Sequence, residues 1–265
     1  GPFGGEGPRL YFRQMLRAIG YLHASLIIHC DVKPENFLLL GPPDTEFGNV
    51  IKLCDFGTAR LSPELQAIDE LQPLFYRAPE VFVGCPRGRK IDIWSAGCTI
   101  YELCVGRIFF RACHNGREVV EKIQQHFGPI TPAMRQQGRL TKLFFTEQGF
   151  HPEVGEPVDP DQAYSKKPML TEMMPHTDFG KVHKQTAHEQ AKAQLAKLIG
   201  KATVVGGAMK RSTGLTDDEK KLKLLSELVD RLLEVDPALR ISAADACQHP
   251  AFKEVDLPAL VDLQE

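Results

Sequence analysis

The sequence has no stretch suited to a membrane or to a secretion signal. None of its apolar runs approaches the roughly 18 residues that a membrane-spanning helix needs. The first eight residues, rich in glycine and proline, lack both the basic and the apolar region of a signal peptide. The net charge is only −2, which gives no bulk attraction to nucleic acid or anionic lipid. We therefore expect no membrane partner and no direct nucleic-acid partner.

Metal-binding and disulfide patterns are also missing. The seven cysteines form no C-x-x-C pair and are odd in number, and the nine histidines form no H-x-x-x-H or H-E-x-x-H pattern. A zinc site is therefore not expected. Unpaired cysteines in apolar surroundings, such as Cys98 and Cys104, are typical of proteins in a reducing compartment. The cysteine usage favours the cytosol or the nucleus.

The composition, with 43 % hydrophobic and 25 % charged residues, is typical of a globular protein. The length of 265 residues suits one large domain or two small ones. We expect a flexible N-terminal edge at 1–8, a main domain at 9–254 and a C-terminal tail at 255–265. Within the main domain, an insert with weak periodicity and some helical pieces, such as 190–199, is expected at about 128–215.

Apolar periodicity and capping residues predict the secondary structure of the main domain. A stripe at positions 12, 15, 16, 19, 22 and 26 predicts an amphipathic first helix. The run around Trp94 is apolar on all sides, which predicts a helix buried all round. Capping residues at Thr216 and Ser242 predict the start of two late helices. Helices are expected at 9–25, 91–105, 118–127, from 216 and from 242, and short strands at 37–40 and 50–54.

Three short motifs stand in order along the first third of the chain. His29-Cys30-Asp31-Val32-Lys33-Pro34-Glu35-Asn36 has the pattern H-x-D-x-K-P-x-N. Asp55-Phe56-Gly57 begins 24 positions after Asp31, and Ala78-Pro79-Glu80 begins 23 positions after Asp55. Each triplet alone carries little weight, but the ordered set resembles the catalytic loop, D-F-G and A-P-E motifs of eukaryotic protein kinases.

This resemblance implies a phosphoryl-transfer site that uses ATP and Mg²⁺. Asp31 would be the catalytic base that accepts the proton of the attacking hydroxyl, and Lys33 would contact the γ-phosphate. Asn36 and Asp55 would hold magnesium. The resemblance also assigns Glu35 and Leu38 to the ATP site, with Leu38 under the adenine ring.

The same resemblance implies supporting residues around the site. His29 and Phe56 would form a stacked spine behind it, and Gly57 would be a flexible joint after Asp55. For His29, Phe56 and Leu38 the alternative is an ordinary place in the core. Asp92 would brace the backbone of the catalytic loop, or simply cap a helix. Two residues far apart, Glu80 and Arg240, would form an ion pair that holds the activation segment to the domain.

Further segments resemble the CMGC group of kinases, and within it the pre-mRNA-splicing kinase branch related to the dual-specificity tyrosine-regulated kinases. They are Phe75-Tyr76-Arg77, the segment from Gly97 to Leu103, the insert, and the segment from Asp236 to Ser242. The resemblance implies protein substrates, splicing factors among them, and a nuclear or cytoplasmic location with the nucleus favoured. Lys33 in the D-x-K-P-x-N pattern is typical of Ser/Thr kinases.

The resemblance extends over about 9–252 and covers the large lobe of a kinase. The fold class that it implies is mainly α, a helical lobe with short β-hairpins at the catalytic loop. The glycine-rich loop, the strand lysine and the partner glutamate of the small β lobe have no counterpart in the sequence. We therefore expect the small lobe to be absent. Its face would be exposed or covered by a partner, which would make the chain aggregation-prone or partner-dependent.

Four positions in or around the activation segment, the interval between Asp55 and Glu80, depart from the kinase pattern. Cys30 replaces the arginine that usually precedes the catalytic aspartate, so no guanidinium can bind a segment phosphate there. Glu70 stands where related kinases carry a regulatory tyrosine, and Leu74 stands where they carry its partner arginine. Pro73 replaces a serine or threonine and resembles tyrosine kinases instead, in conflict with Lys33, which we weigh more heavily because it contacts the phosphoryl group.

Two interpretations of function follow. The first is an active Ser/Thr kinase represented by its large lobe, favoured by the retention of Asp31, Lys33, Asn36 and Asp55. The second is a pseudokinase or lone lobe that acts as a protein-interaction module, favoured by the departures and by the missing lobe. Basic residues at 87–90 suit either a solvated loop or a site for acidic substrates, and those at 181–211 either an exposed surface or a docking site.

Overall fold

The computed structural model of the protein describes residues 7–42, 45–62, 71–153, 155–169, 173, 217–253, 255 and 257. The predictions for residues 1–6, Glu70, the helical piece at 190–199, the basic residues at 181–211 and the end of the tail lie outside these residues. No helix among the described residues is long and apolar enough to cross a membrane.

The described part of the chain is mainly helical, with strands of two or three residues. The helices are α1 (Gly7–Ala24), α2 (Pro79–Val83), α3 (Lys90–Val105), α4 (Gly116–Phe127), α5 (Pro132–Gln137), α6 (Pro160–Ala163), α7 (Asp217–Leu232) and α8 (Ala243–Cys247). The strands are β1 (Ile27–Ile28), β2 (Phe37–Leu39), β3 (Ile51–Leu53), β4 (Arg60–Leu61), β5 (Phe145–Thr146) and β6 (Gly149–Phe150).

The strands pair antiparallel in three two-stranded sheets. β1 pairs with β4, with Ile27 opposite Leu61. β2 pairs with β3, with Phe37 opposite Leu53. The hairpin of β5 and β6 lies within the insert, where only helical pieces were expected. Its strands of two residues are too short to show an alternating pattern in the sequence.

The first helix begins earlier than expected, because Gly7 and Pro8 belong to α1 and not to a flexible edge. Proline is well tolerated in a first turn, where its missing N–H has no helical partner in any case. The predicted stripe is buried at positions 12, 15, 16, 19 and 22, but its last member is wrong: Leu26 is 51 % exposed. Leu26 lies beyond the helix end at φ +58°, where its side chain no longer follows the helical face.

The third helix, α3, lies at the centre of the core and contacts α1 and α7. Its predicted burial on all sides is confirmed, since Ile93, Trp94 and Ile100 have no exposed surface. The predicted cap at Ser242 is confirmed, since Ser242 accepts a hydrogen bond from the Asp245 N–H at 3.1 Å and begins α8. α7 begins at Asp217, and the predicted cap at Thr216 lies outside the described residues.

The contact of α3 with α7 requires a residue without a side chain at position 97. A Cβ at Gly97 would lie 2.8 Å from both Cγ and Cδ2 of Leu233, and 3.0 Å from Cβ of Leu232. We therefore expect Gly97→Val to lower the free energy of unfolding by about 1–3 kcal/mol or more. Urea denaturation measures this loss. Gly88→Val is the control, because a Cβ at Gly88 would have nothing within 4 Å; equal midpoints for the two variants would contradict the close packing.

Candidate active site

The loop between β1 and β2 holds an aspartate whose carboxylate is fixed from two sides. Lys33 Nζ donates to Asp31 Oδ2 at 2.8 Å. Asn36 Nδ2 donates to the Asp31 carbonyl at 2.7 Å and to Oδ2 at 3.1 Å. A single turn of 3₁₀ helix over Pro34–Asn36 brings Asn36 back over Asp31, and Pro34 suits its first position because its φ is already helical.

The other carboxylate oxygen of Asp31 is buried and has no hydrogen-bond partner among the described residues. A buried acceptor without a partner is costly in a folded protein, and such groups occur where a ligand or a reaction uses them. Lys33 keeps its charge at neutral pH, because the hydrogen bond from its ammonium to Asp31 raises the pKa of Lys33 above its usual value. One oxygen of the Asp31 carboxylate is thus held by a fixed positive charge, and the other is buried without a hydrogen-bond partner among the described residues.

Two further side-chain oxygens that could bind a cation lie in the same region. Because Asn36 uses its Nδ2 toward Asp31, its Oδ1 is left as the acceptor of that amide. The Cys54 N–H donates to the Asn36 carbonyl at 2.9 Å, which ties Asn36 to the residue before Asp55. Asp55 is exposed at φ +62°, and its Oδ1 accepts the Gly57 N–H at 3.3 Å.

As metal ligands, these oxygens fit magnesium better than a metal that prefers nitrogen or sulfur. An amide oxygen and a carboxylate are hard ligands, and Mg²⁺ is commonly held by one or two of them together with phosphates and water. The described residues contain no group of three or more His, Cys, Asp or Glu that could hold a metal alone. The donor set therefore fits an ion that arrives with a polyphosphate.

The other residues assigned to the site, outside the carboxylate, ammonium and amide groups, differ in how far their side chains are exposed. His29 is buried, and its ring meets Phe56 edge-on with 5.1 Å between centroids. Its Nε2 lies 3.0 Å from the Cys54 carbonyl. Phe56 is 48 % exposed and Leu38 is 53 % exposed, so neither has an ordinary place in the core. Glu35 is also exposed.

The backbone of the loop is held by a buried aspartate of α3. Asp92 has no exposed surface; its Oδ2 accepts the His29 N–H and its Oδ1 accepts the Cys30 N–H, both at 2.9 Å. Cys30 is itself fully buried at φ +66°, a left-handed conformation that costs about 1–3 kcal/mol for a non-glycine residue. The bonds to Asp92 offset this strain, so the contact goes beyond a helix cap.

Glu80 and Arg240 form a bidentate ion pair with no more than 1 % of either side chain exposed. Arg240 Nη1 donates to Glu80 Oε1 at 2.6 Å, and Nη2 donates to Oε2 at 2.9 Å. The remaining N–H groups of Arg240 donate to three backbone carbonyls, and its guanidinium stacks over the Trp94 ring at 5.2 Å. The pair joins α2 to the segment before α8.

The segment before α2 contains a residue that the sequence did not single out. Gln72 is buried at φ +68°. Its side chain donates to Ser95 Oγ at 2.6 Å and to the Ile91 carbonyl at 2.9 Å, and it accepts the Ala78 N–H at 3.1 Å. A left-handed conformation favours glycine or asparagine, so the sequence offers no local signal for it.

Pro73 and Leu74 lie next to Gln72. Pro73 precedes a turn of 3₁₀ helix over Leu74–Tyr76, and Leu74 is partly buried against the core. The Tyr76 hydroxyl donates to Glu102 Oε2 at 2.6 Å, a second contact for which the sequence gave no signal. Burial raises the pKa of the Glu102 carboxyl above its usual value.

The basic residues at 87–90 lie at the surface, and two of them also bond the backbone of other segments. Arg89 Nη1 donates to the His23 carbonyl at 2.7 Å, and Lys90 Nζ donates to the Arg240 carbonyl. Burial lowers the pKa of Lys90 below its usual value. Two of the three cations therefore donate to backbone carbonyls, while Arg89 is exposed and Arg87 and Lys90 are partly exposed, in agreement with a solvated loop.

The site combines a buried carboxylate, an ammonium bonded to it and two further side-chain oxygens, which are groups suited to phosphoryl transfer. The chain matches the family model described as "Protein kinase domain" over residues 3–252. It therefore belongs to the protein kinase domain family, as its motifs indicated, and its relatives are kinases of the CMGC group.

Three relatives illustrate the similarity. Homeodomain-interacting protein kinase 4 of Macaca fascicularis is 32 % identical over 244 residues, which cover 89 % of this chain and 37 % of the relative. Serine/threonine-protein kinase prp4 of Schizosaccharomyces pombe is 28 % identical over 246 residues, 92 % of this chain and 44 % of the relative. A probable dual specificity protein kinase YAK1 homolog of Encephalitozoon cuniculi is 38 % identical over 149 residues, 56 % of this chain and 35 % of the relative. The chain thus spans less than half the length of each.

Proposed function

We propose that this chain is the catalytic lobe of a protein Ser/Thr kinase, which transfers the γ-phosphate of ATP to protein hydroxyls. The observation that carries the proposal is the Asp31 carboxylate: Lys33 donates to its Oδ2, and its buried Oδ1 has no hydrogen-bond partner in the part of the chain that the structure describes. A carboxylate oxygen that is desolvated and held in place is suited to accept the proton of an attacking hydroxyl.

The other residues of the site have supporting roles in this proposal. Lys33 supplies positive charge to the phosphoryl oxygens as they carry charge toward the transition state. Asn36 fixes Asp31 through its amide nitrogen, and Asn36 and Asp55 would together hold Mg²⁺ through oxygen. When bound, the ion would neutralise charge on the phosphates. Leu38 and Glu35 line the ATP side, and the exposure of Leu38 leaves its side chain available to a planar base.

The proposed acceptors are serine and threonine in proteins. Lys33 carries this choice, because a lysine two residues after the catalytic aspartate is typical of Ser/Thr kinases. The prp4 relative is a serine/threonine-protein kinase by name, and the YAK1 homolog is a dual specificity kinase by name. We further propose splicing factors as substrates and a nuclear location, on the resemblance to the splicing-kinase branch.

A second candidate is a protein-interaction module without catalysis. It is favoured by the apolar residues Leu38 and Phe56, each about half exposed on the ATP side of the site. In either case we propose that the chain supplies the large lobe only. The absence of a glycine-rich loop and strand lysine from its sequence supports this, as does the size of the described sheets, each of two strands.

Transfer of labelled γ-phosphate tests the proposal. The chain, and the chain extended by its natural upstream coding sequence, are incubated with labelled ATP, Mg²⁺ and matched peptides that differ only in Ser, Thr or Tyr. We expect label on the Ser and Thr peptides in the extended form. Absence of label from all three peptides in both forms, with the proteins folded, would support the interaction module instead.

The oxygen donors give a metal-dependence prediction. We expect Asp55→Asn to reduce phosphate transfer at least about tenfold, because the amide removes one negative charge from the ligands of the cation. Raising the Mg²⁺ concentration should recover part of the loss. The rate of transfer, measured against Mg²⁺ concentration for both proteins, gives the change in Mg²⁺ dependence. A sample with EDTA gives the rate without the ion. An unchanged Mg²⁺ dependence in Asp55→Asn would count against this assignment.

The departures near the activation segment give a prediction about regulation. Neither Cys30 nor Leu74 carries a positive charge, so neither can bind a segment phosphate. Cys30 is also fully buried, and Leu74 packs against the core. We therefore expect activity to survive complete dephosphorylation. Treatment of the active protein with a phosphatase, followed by mass spectrometry and the same transfer assay, provides the measurement. Loss of activity upon dephosphorylation would overturn it.

A further inference from the structure

Three arginines outside the kinase-like motifs form a row along one side of the first helix. Arg9, Arg13 and Arg17 are spaced four residues apart, so their side chains follow one another on the same face of α1. At 1.5 Å per residue, the row is about 12 Å long. About 10 Å of helix then separates Arg17 from Ala24, where α1 ends before the catalytic loop. This arginine row therefore lies outside the proposed active site.

The helix itself gives the arginine row no electrostatic support. α1 contains no acidic residue, and its first turn, where Arg9 lies, favours negative charge because of the helix dipole. Like charges four residues apart also repel each other. None of the three arginines forms an ion pair with a carboxylate among the described residues. The stability of the helix therefore does not account for three arginines in this place.

Two of the arginines are bonded to the backbone that follows α8. Arg9 is 8 % exposed, and its Nη1 donates to the Ala251 carbonyl at 3.2 Å. Arg13 Nη1 donates to the Val255 carbonyl. One nitrogen of each guanidinium, Arg9 Nη2 and Arg13 Nε, is buried with no hydrogen-bond partner in the part of the chain that the structure describes. A buried N–H group without an acceptor is costly, and a ligand with acceptor oxygens would remove that cost.

The third arginine extends the row to the solvent. Arg17 is exposed. Both Arg17 and Arg13 are within electrostatic reach of Cys247 in α8, because burial raises the pKa of the Cys247 thiol and the two positive charges oppose that rise. The one carboxylate of α8, that of Asp245, accepts the Ser242 hydroxyl instead of a guanidinium. The side of α1 that faces α8 thus presents positive charge that α8 does not neutralise.

The spacing of the arginine row fits the side chains of an extended peptide. In an extended chain, side chains on one face recur at every second residue, about 6.6–7 Å apart. Successive arginines of the row are about 6 Å apart along the helix. A guanidinium pairs with a carboxylate through two parallel N–H···O bonds. A segment with acidic residues at alternate positions would therefore place one carboxylate near each arginine.

We propose that the arginine row binds an acidic segment of another protein, in an extended conformation with carboxylates at alternate positions. The net charge of the chain is −2, which gives no general attraction to polyanions, so the attraction comes from the row itself. The proposal does not depend on phosphate transfer, because none of the three arginines belongs to the proposed active site.

Fluorescence anisotropy with the full chain and a labelled peptide tests the proposal. The peptide alternates aspartate and alanine over about eight residues, which is long enough to span the row. It offers no hydroxyl for phosphate transfer, and a matched peptide has asparagine in place of aspartate. We expect only the aspartate peptide to bind, with an affinity that falls as the salt concentration rises. Absence of binding, or equal binding of the two peptides, would overturn the proposal.

Substitutions in the row locate the binding site. Arg13→Met combined with Arg17→Met should weaken binding at least about tenfold, because methionine keeps an apolar stem and removes the guanidinium. Arg111→Met combined with Arg139→Met is the control, since both arginines are exposed and the net charge changes by the same amount. An equal loss in the two double variants would show general electrostatic attraction and overturn the proposal.

A single substitution decides the question if the double variant does not fold. Arg17 is exposed, so Arg17→Met should leave the thermal midpoint of unfolding unchanged. It should still weaken binding of the aspartate peptide at least about threefold. A folded Arg17→Met variant with the affinity of the parent would contradict a site that includes this end of the row.

Two further measurements identify the source of the acidic groups. Replacing the four acidic residues of 254–265 by their amides tests whether the chain's own residues occupy the row. We expect the affinity for the aspartate peptide to change less than about threefold, whereas a rise of about tenfold or more would assign the row to those residues and overturn the proposal. An oligouridylate of equal charge should bind more weakly than the peptide. Tighter binding that is lost in the variant with both Arg13 and Arg17 replaced would make the partner a nucleic acid and would also overturn it.

Discussion

Replacing Arg240 by methionine is expected to lower the free energy of unfolding by about 3–5 kcal/mol. The substitution leaves the Glu80 carboxylate buried without its bidentate partner, and it also removes the donors to three backbone carbonyls. Glu80→Met should cost a similar amount, since it strands the guanidinium inside the core. Urea denaturation monitored by circular dichroism, with the slope held constant, measures both losses.

The double variant and a surface pair complete this experiment. Glu80→Met combined with Arg240→Met should lose less than the sum of the single losses, because no unpaired charge remains. Lys220→Met is the control, since the Lys220–Asp217 pair is exposed and such pairs contribute at most about 1 kcal/mol. If Arg240→Met were no more destabilising than Lys220→Met, the ion pair would have no role in holding α2 to the domain.

Asp31→Asn is expected to reduce kcat for phosphate transfer by about 10²–10⁴-fold. Asparagine has nearly the same shape but cannot accept the proton of the hydroxyl. Its side chain can still bond Lys33 or Asn36, so the midpoint of unfolding should change little. Transfer of labelled phosphate in the extended form, with the thermal midpoint recorded for each preparation, provides the two measurements.

Lys33→Met is the matched test of the charge beside the base. It should reduce kcat by at least about 10²-fold, because the developing charge on the phosphoryl oxygens loses a preorganised cation. Binding of the peptide should be unaffected. Activity above about a tenth of the parent in Asp31→Asn would show that Asp31 is not the base. The same activity in Lys33→Met would show that its ammonium does not act on the phosphoryl oxygens.

Much of the fold could be predicted because its signals are local. The amphipathic stripe of α1, the all-apolar pattern of α3 and the Ser242 cap each depend on neighbours within a few turns. The strand β2 was predicted one residue too long, at Leu40, and β3 one residue too long at each end, at Val50 and Cys54, because strand ends leave no sharp signal. The predicted burial of Leu26 was wrong because the apolar periodicity continues past the residue where α1 ends.

The candidate site divides in a similar way. The residues proposed to act in phosphoryl transfer stand in short motifs of the sequence: Asp31, Lys33, Asn36 and Asp55. A residue that holds the loop in place comes from elsewhere: Asp92 reaches it from α3. Gln72 and Glu102 have no signal of their own, because a buried amide or carboxylate is defined by the donors around it and those come from distant segments.

Residue type and spacing were enough to indicate the protein kinase family, the order of the motifs and the chemical groups of the site. The three-dimensional arrangement was needed to show that one oxygen of Asp31 is left without a partner among the described residues and that Asp92 accepts the N–H groups of His29 and Cys30. The reason is physical: burial and hydrogen-bond saturation belong to groups brought together from separate parts of the chain, and linear spacing does not encode them.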